Sequence, residues 1–314
     1  MRFLVCCLLL LSACSRSEKP IIGVIPKGAS HQFWLTVRAG ALQAGEDYGY
    51  QIEWNAPALE IDRARQIDIT QAMITRRLAG IAIAPVDRVA LRQVIERAAD
   101  ASIPVAVYDS DVDTPKRLCY IATNNREGGR IAARRLGERL KGRGEVGIIS
   151  FMPGSASTQE RTEGFLEEMR AKFPTIEVLP VQYGMANRAK AMAVTENLLT
   201  AHPNLAGLFA DNESSSAGAV QALHSRNRKN LPLVAFDASE HLVQELRSGF
   251  IDSLIVQDPF RMGYESVKAI ALHRRGEACS RRQDLPARLL LPSDLAKPDV
   301  QALLFPDLSR WPQP

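Results

Sequence analysis

The chain has 314 residues, of which 46% are hydrophobic and 24% are charged, and its formal net charge at pH 7 is +4. This near-balance of acidic and basic residues argues against the concentrated basic surface that nucleic-acid binding requires. The length exceeds what one open sheet with helices on both faces usually holds, so we expect two lobes.

The start of the chain predicts an export signal and a lipid anchor. Arg2 precedes an apolar run at residues 3–11 that is too short to span a bilayer as a permanent helix. The sequence Leu-Ser-Ala-Cys, ending at Cys14, resembles the lipobox of bacterial lipoproteins, in which the cysteine is diacylated and becomes the mature N-terminus. An ordinary signal peptide with an incidental cysteine is the alternative. We therefore expect a signal peptide at 1–13, a tether at 14–19, and a periplasmic or cell-surface domain held at the membrane by its lipid.

Two further cysteines, Cys119 and Cys279, remain after processing. An oxidising compartment would permit a disulfide between them. Two buried free thiols are the alternative, and the sequence leaves both open. The cysteine spacing offers no metal site.

From residue 20 onward, short apolar runs alternate with stretches of helical periodicity. This alternation predicts parallel sheets with helices on both faces. The polar segment 109–117, between two strands, is where we divide the chain. Helical periodicity is found at residues 61–77, 126–140, 158–172 and 188–202. Strands are predicted at residues 21–25, 50–54, 80–84, 105–108, 118–122, 146–150, 176–179, 205–210, 231–236 and 254–256.

The turn after the first strand predicts one wall of a ligand cleft. The strand at 21–25 is apolar, and a helix follows from about residue 32. Lys27, His31 and Trp34 lie where this strand delivers side chains to its carboxyl end. In open α/β sheets, ligands bind in the crevice beyond the carboxyl ends of the strands.

The sequence contains none of the enzyme motifs that we sought. G-x-G-x-x-G after a strand, G-x-x-x-x-G-K-[ST], G-x-S-x-G and H-E-x-x-H are all absent, and the five histidines are scattered. We therefore predict a protein with no catalytic residue, no cofactor and no metal site.

Polar side chains recur instead at or just beyond the carboxyl ends of the predicted strands. Each one alone would more often be a helix cap or a surface residue, and for Asp237 a capping role is an equal alternative. Together with the flat apolar faces of Phe33 and Trp34, which suit the C–H side of a sugar ring, they describe a small-molecule pocket. The recurring polar residues are Lys27, Asp109, Arg161, Asn212, Asp237 and Gln257.

From about residue 21 to residue 270, the chain resembles type I periplasmic sugar-binding proteins of the ribose-binding and LacI-like superfamily. The resemblance is carried by QFWLTVRAGA, GIAIAPVD, IPVAVYDSD, YIATNNREGGRIAA, GSASTQERTEGF, NLLTAHPNLAGLFADNE, LVAFDAS and LIVQDPF. It implies an α/β fold of two Rossmann-like lobes with parallel sheets, joined by a three-crossing hinge, with a sugar bound between them. The implied division is an N-terminal lobe of 20–122 plus 258–285, a C-terminal lobe of 123–257 plus 286–306, and a tail at 307–314.

The resemblance also implies the ligand-binding residues. Phe33 and Trp34 would stack on the sugar ring, with a core role for Phe33 as an equal alternative. Asp109 would accept hydrogen bonds from adjacent hydroxyls, and Arg161 would donate to hydroxyls and to the ring oxygen. We expect Asp109→Ala or Arg161→Ala to abolish ligand binding and to leave thermal unfolding nearly unchanged. The implied contacts on the C-terminal lobe and hinge side are Asn212, Asp237 and Gln257.

The chain departs from ribose-binding proteins at four binding positions. Ser110 stands where they carry an arginine, and Ala186 where they carry a second-lobe aromatic residue, for which Tyr183 is a candidate substitute. Lys27 replaces a small polar residue, and His31 replaces an asparagine. We keep Lys27, His31 and Ser110 as ligand-binding candidates. The departures favour another sugar or an anionic sugar derivative over ribose.

The function that the resemblance implies is a lipid-anchored monomeric receptor that closes on a sugar and delivers it to an ABC permease and its ATPase. A sensor that signals to a membrane partner is the alternative. Autoinducer-2 is the second-ranked ligand, because IPK at 25–27 and DSD at 109–111 also resemble its receptors. DNA binding is disfavoured, because LacI-type repressors begin with a helix-turn-helix where this chain has an export signal.

Overall fold

The computed structural model describes residues 19–29 and 31–311, which form two lobes, each built on a mainly parallel sheet. The predicted signal peptide at 1–13, Cys14, most of the tether and the last three residues of the tail lie outside the described residues. Among the helices of the described part, none combines the length and the apolar character needed to cross a membrane.

Strands and helices alternate through most of the described chain, as the hydrophobic pattern predicts. The strands are β1 (Ile21–Ile25), β2 (Gln51–Trp54), β3 (Gly80–Ile83), β4 (Val105–Tyr108), β5 (Cys119–Thr123), β6 (Gly144–Ser150), β7 (Ile176–Val178), β8 (Gln182–Tyr183), β9 (Leu205–Ala210), β10 (Leu233–Phe236), β11 (Ser253–Val256), β12 (Arg282–Leu285) and β13 (Arg288–Leu290). The helices are α1 (Gln32–Tyr48), α2 (Arg63–Thr75), α3 (Arg92–Asp100), α4 (Asn125–Arg139), α5 (Ala156–Lys172), α6 (Arg188–Ala201), α7 (Glu213–Ser225), α8 (Glu240–Ser248), α9 (Pro259–Arg274) and α10 (Pro298–Leu304), with a 3-10 turn at Pro292–Asp294.

The first lobe contains the sheet β12-β5-β4-β3-β1-β2, whose neighbouring strands are all parallel. The second contains β13-β11-β10-β9-β6-β7, with β8 also paired to β6 and only the β11–β13 pair antiparallel among the described strands. The chain passes between the sheets after β5, after β11 and between β12 and β13. Helix α4 therefore packs on the second lobe, and α9 returns to α1 on the first.

Both faces of the first sheet are buried, because alternate residues of a strand point to opposite faces. Ile22 and Val24 of β1 join an apolar cluster with Val37 of α1. Ile25 joins the cluster on the other face, with Ile69 of α2. The strands are consequently held from both sides, which fixes the positions of the loops at their carboxyl ends.

The polar segment 109–117 is not the boundary between the lobes, so this prediction is wrong. The segment connects β4 to β5, and these strands pair with each other in the first sheet. The chain leaves the first lobe only after β5. Polarity marked a connection between two strands correctly, but it carries no information about which sheet the next apolar strand joins.

The last part of the described chain contacts both lobes. Val300 and Leu304 of α10 are buried in the core of the second lobe. Beyond them, Arg310 donates a hydrogen bond of 3.0 Å from Nη1 to Gln43 on α1 of the first lobe. Part of the predicted tail at 307–314 therefore lies against the first lobe.

Cys119 and Cys279 are both free thiols, which is one of the two alternatives that the sequence left open. Cys119 is buried, and Cys279 is partly buried. Burial, together with the neighbouring Cys279 thiol, raises the pKa of Cys119 to about 12. Cys119 therefore stays protonated at neutral pH and behaves as a small apolar side chain.

Candidate functional site

A cavity lies between the lobes, at the carboxyl ends of strands from both sheets. Every ligand-binding residue predicted from the sequence lines this cavity except Ser110 and the candidate substitute Tyr183. The lining residues are Lys27, His31, Phe33, Trp34, Glu60, Asp109, Phe151, Ser157, Thr158, Arg161, Asn212, Glu213, Asp237 and Gln257.

Asp109 and Asp237 occupy equivalent positions in the two lobes. Each follows a central strand directly, β4 for Asp109 and β10 for Asp237. Each has a left-handed backbone, with φ of 60° and 71°, and each donates its N–H to the neighbouring strand, at 3.1 Å to Ile121 and 2.8 Å to Ile255. Aspartate tolerates this conformation better than most residues. The sharp turn places both carboxyl groups at the cavity wall.

Lys27 is almost fully buried, and its ammonium group connects the two lobes. Its Nζ lies 2.7 Å from Oδ2 of Asp109 and donates to Ser110 Oγ at 2.8 Å. It also donates to Ser157 Oγ of the second lobe at 3.3 Å. The charge is therefore compensated within the protein, as burial of an ammonium group requires.

Ser110 was predicted to line the site, but the structure places it outside the cavity lining. Its fully buried hydroxyl accepts from Lys27 and from the Ser157 N–H, and donates to Ser157 Oγ at 2.7 Å. This short side chain, whose hydroxyl is satisfied by Lys27 and Ser157, therefore links the two lobes.

Arg161 is held at the cavity wall by three elements of the second lobe. Its Nε donates to Asn125 Oδ1 at 2.8 Å, and its Nη1 donates to the Asp211 carbonyl oxygen at 2.8 Å. The guanidinium carbon lies 3.8 Å from the centroid of the Phe236 ring. Helix α5, which carries Arg161, approaches α4 closely at Gly129, where an added Cβ would lie 1.9 Å from the Arg161 carbonyl oxygen. The guanidinium plane is consequently fixed before a ligand arrives.

Asp211 is a fully buried carboxyl group behind Arg161. It accepts hydrogen bonds from Ser150 Oγ, from the Phe151 N–H at 3.1 Å and from Thr162 Oγ1. Burial raises its pKa to about 7, although the Ser150 bond and the charge of Arg161 act in the opposite direction. Because the pKa is higher in the folded state, folding takes up a proton between about pH 4 and pH 7.

We expect Asp211→Asn to change how stability depends on pH. In the wild type, the Asp211 term in the free energy of unfolding should decrease as the pH rises from about 4 to 7, by on the order of 4 kcal/mol for the full shift. The difference between wild type and variant, from urea unfolding at several pH values, isolates this term. A pH-independent difference would contradict the assignment.

Glu60 is a lining residue that the sequence did not indicate. Its Oε1 accepts from Trp34 Nε1 and lies 2.9 Å from His31 Nδ1. Burial lowers the pKa of His31, but the hydrogen bond and charge of Glu60 raise it overall. Burial raises the pKa of Glu60, but the bonds from His31 and Trp34 lower it overall. Glu60 thus fixes the orientation of both rings. It lies in the long β2–α2 loop, too far from the strand end for sequence spacing to place it.

The hinge-side groups form a chain of hydrogen bonds. Thr123 at the end of β5 donates to Gln257 Oε1 at 2.7 Å, and Gln257 Nε2 donates to Asp237 Oδ1 at 2.5 Å. Asp237 does not cap α8, because Ser239 does so. Asn212 does cap α7, accepting from the Ser215 N–H at 3.2 Å. A capping role and a place in the cavity wall therefore coexist at Asn212.

The aromatic residues of the cavity come from both lobes. Phe33 and Trp34 contact each other edge to face, with ring centroids 4.8 Å apart. Phe151, directly after β6, supplies an aromatic side chain from the second lobe. Tyr183 was the candidate for the second-lobe aromatic residue that is replaced by Ala186, but it is 38% exposed and is not among the lining residues. The sequence did not indicate Phe151, because it reads as the continuation of an apolar strand.

A protein-family model described as a periplasmic binding protein domain matches residues 22–278. A D-ribose/D-allose-binding protein of Pseudomonas aeruginosa is 31% identical over 241 residues, which cover 74% of this chain and 75% of that protein. A carbohydrate transporter solute-binding protein from Agrobacterium radiobacter, solved with D-arabinose, superposes with a TM-score of 0.89 at 31% identity and covers 92% of this chain and 100% of that one. An ABC transporter solute-binding protein from Agrobacterium vitis, solved with α-D-tagatopyranose, has a TM-score of 0.87 at 30% identity, with coverage of 91% and 99%.

Proposed function

We propose, because this chain belongs to the periplasmic binding protein family, that it captures a monosaccharide between its lobes and delivers it to an ABC permease. Its relatives are named as sugar-binding proteins and solute-binding proteins of ABC transporters, so the chain is a carrier and not an enzyme. Binding needs no chemical step. The lobes need only form better contacts with the ligand when closed than when open.

The observation that carries the proposal is the origin of the cavity's polar groups. Asp109 and Lys27 come from the first lobe, and Arg161 and Asp237 come from the second. A ligand that contacts all four therefore requires both lobes. Planar carboxyl and guanidinium groups can each form paired hydrogen bonds with neighbouring hydroxyls. With aromatic rings beside them, they match a small polyol.

The hinge completes the proposed mechanism. We place the lobe boundaries at 122/123, 257/258 and 285/286, close to the points after β5, after β11 and between β12 and β13 at which the chain changes sheets. Bending at these three points would separate Lys27 and Ser110 from Ser157 of the opposite lobe. Ligand binding would favour the closed form that keeps these contacts, and the permease would recognise that form.

The proposal includes export and anchoring. Removal of residues 1–13 would leave a lipidated Cys14 at the membrane surface and a monomeric domain facing away from the cytoplasm. Cys14→Ser should move the protein from the membrane fraction to the soluble fraction. Persistence of the variant in the membrane fraction would exclude the lipid anchor.

Autoinducer-2 remains a second candidate ligand, and a sensor that signals to a membrane partner remains the alternative function. The observation that favours this ligand is the buried Lys27–Asp109 pair at 2.7 Å, since these two residues carry the resemblance to its receptors. A neutral sugar and autoinducer-2 are separated by the binding experiment that follows.

Titration calorimetry of the purified chain against D-ribose, D-allose, D-arabinose, D-tagatose and autoinducer-2 tests the proposed function. We expect one-to-one binding of at least one neutral sugar. At a ligand concentration 100 times the dissociation constant, stability should rise by about 2.7 kcal/mol. Binding of autoinducer-2 alone would favour the sensor. No binding and no thermal shift with any compound would exclude both.

A further inference from the structure

The Lys27 ammonium group of the cavity is occupied by protein groups, and the Arg161 guanidinium group is occupied in part. An ammonium group has three N–H donors, and those of Lys27 have three partners in Asp109, Ser110 and Ser157. Arg161 uses Nε and Nη1 on Asn125 and on the Asp211 carbonyl. Arg161 therefore keeps part of its five N–H donors for a ligand, whereas within the described residues Lys27 has no donor left for an anionic one.

Carboxyl groups outnumber these cations along the wall. Glu60, Asp109, Glu213 and Asp237 all line the cavity, whereas Lys27 and Arg161 are its permanent cations. His31 adds a third positive charge only when it is protonated. An additional carboxylate or phosphate would enter beside several buried negative charges, and like charges in a desolvated site repel strongly.

Glu213 offers an unused acceptor in this wall. Its side chain is 7% exposed, and its Oε1 accepts from Arg188. Its Oε2 is buried without a hydrogen-bond partner among the described residues. The nearest approach of His31 is 3.9 Å, from Nε2 to Oε2, which is too long for a hydrogen bond. A buried carboxylate oxygen without a donor is costly, so a ligand donor at this point would be favourable.

We propose that Glu213 is a ligand-binding residue whose Oε2 accepts a hydrogen bond from a sugar hydroxyl, and that the acceptor-rich wall selects uncharged monosaccharides over sugar acids and sugar phosphates. The inference rests on the proposed function and narrows its ligand class. Of the two alternatives to ribose that the sequence departures left open, it favours another neutral sugar over an anionic sugar derivative, because the Lys27 charge is already compensated by Asp109.

The test compares neutral sugars with their charged counterparts. Calorimetry of the full chain would use D-ribose with D-ribonate and D-ribose 5-phosphate, and D-galactose with D-galacturonate. We expect the charged member of each pair to bind at least tenfold more weakly than a neutral parent that binds. A charged compound that binds as tightly as its parent would overturn the inference while leaving the proposed function in place. Absence of binding by every compound would remove both.

Two variants separate ligand contact from a structural role. Glu213→Gln should lower affinity for the neutral sugar at least tenfold and reduce the discrimination against its acid at least tenfold. Arg188→Gln is the matched control, because it removes the partner of Oε1 and leaves the carboxylate, so discrimination should not decrease. If Glu213→Gln fails to fold, Glu213→Asp is the second variant, because it keeps the negative charge on a shorter side chain. We expect Glu213→Asp to bind the neutral sugar more weakly than the wild type and still to bind the acid more weakly than the neutral sugar. Unchanged affinities and ratios would overturn the inference.

Discussion

Asp109→Ala is expected to abolish sugar binding and to lower the free energy of unfolding by about 3–5 kcal/mol. The variant removes an acceptor from the first lobe and leaves the Lys27 ammonium group buried without the carboxylate that lies 2.7 Å away. The side chains of the pair are only 5% and 6% exposed, so water cannot compensate for the loss. Calorimetry measures the binding, and urea unfolding measures the stability.

The double variant Lys27→Met, Asp109→Ala separates the two effects. Removing both charges should restore most of the stability, because no uncompensated charge remains, but it should not restore binding. This expectation revises the one drawn from sequence, in which Asp109→Ala left unfolding nearly unchanged. An Asp109→Ala variant as stable as the wild type would refute the buried pair.

Arg161→Ala is expected to weaken sugar binding at least 100-fold, equivalent to about 2.8 kcal/mol. It removes the donor fork of the second lobe, and it leaves Asn125 Oδ1 and the Asp211 carbonyl without their bonds from Arg161. Stability should therefore also fall, by about 1–3 kcal/mol for each buried acceptor left unsatisfied. The measurements are calorimetric titration and urea unfolding.

Arg161→Lys is the matched control for charge. Lysine keeps the positive charge but lacks the planar fork that reaches Asn125 and Asp211 together and lies on Phe236. We expect Arg161→Lys to be more stable than Arg161→Ala but to have less than a tenth of the wild-type affinity for the sugar. Wild-type affinity in the lysine variant would show that the site needs only a cation there.

Periodicity predicted most of the fold, because buried parallel strands are continuous apolar runs. The strands at 21–25, 105–108 and 205–210 agree with the structure at both ends. The strand β12 was missed because it is a polar edge strand, RQDL, in which only Leu285 is buried. Its place beside β5 depends on a crossing from the other lobe, which no local pattern encodes.

In the cavity, too, a local sequence pattern located some residues, and only the tertiary fold revealed others. Asp109 and Asp237 could be located because each directly follows a central strand, where the fold requires a ligand-facing turn. Glu60 could not be located, because a long loop brings it back to His31 and Trp34. Glu213 reads from sequence as an ordinary first-turn acid of α7. Its importance comes from burial and from an unpaired oxygen, and both are tertiary properties.

A crystal structure of the chain with its tightest-binding neutral sugar would test directly whether the two lobes share one ligand. We expect sugar hydroxyls at about 3 Å from both Asp109 of the first lobe and Arg161 of the second. A sugar that contacts only one lobe, or that lies outside the cavity between them, would contradict the binding mode proposed for this protein.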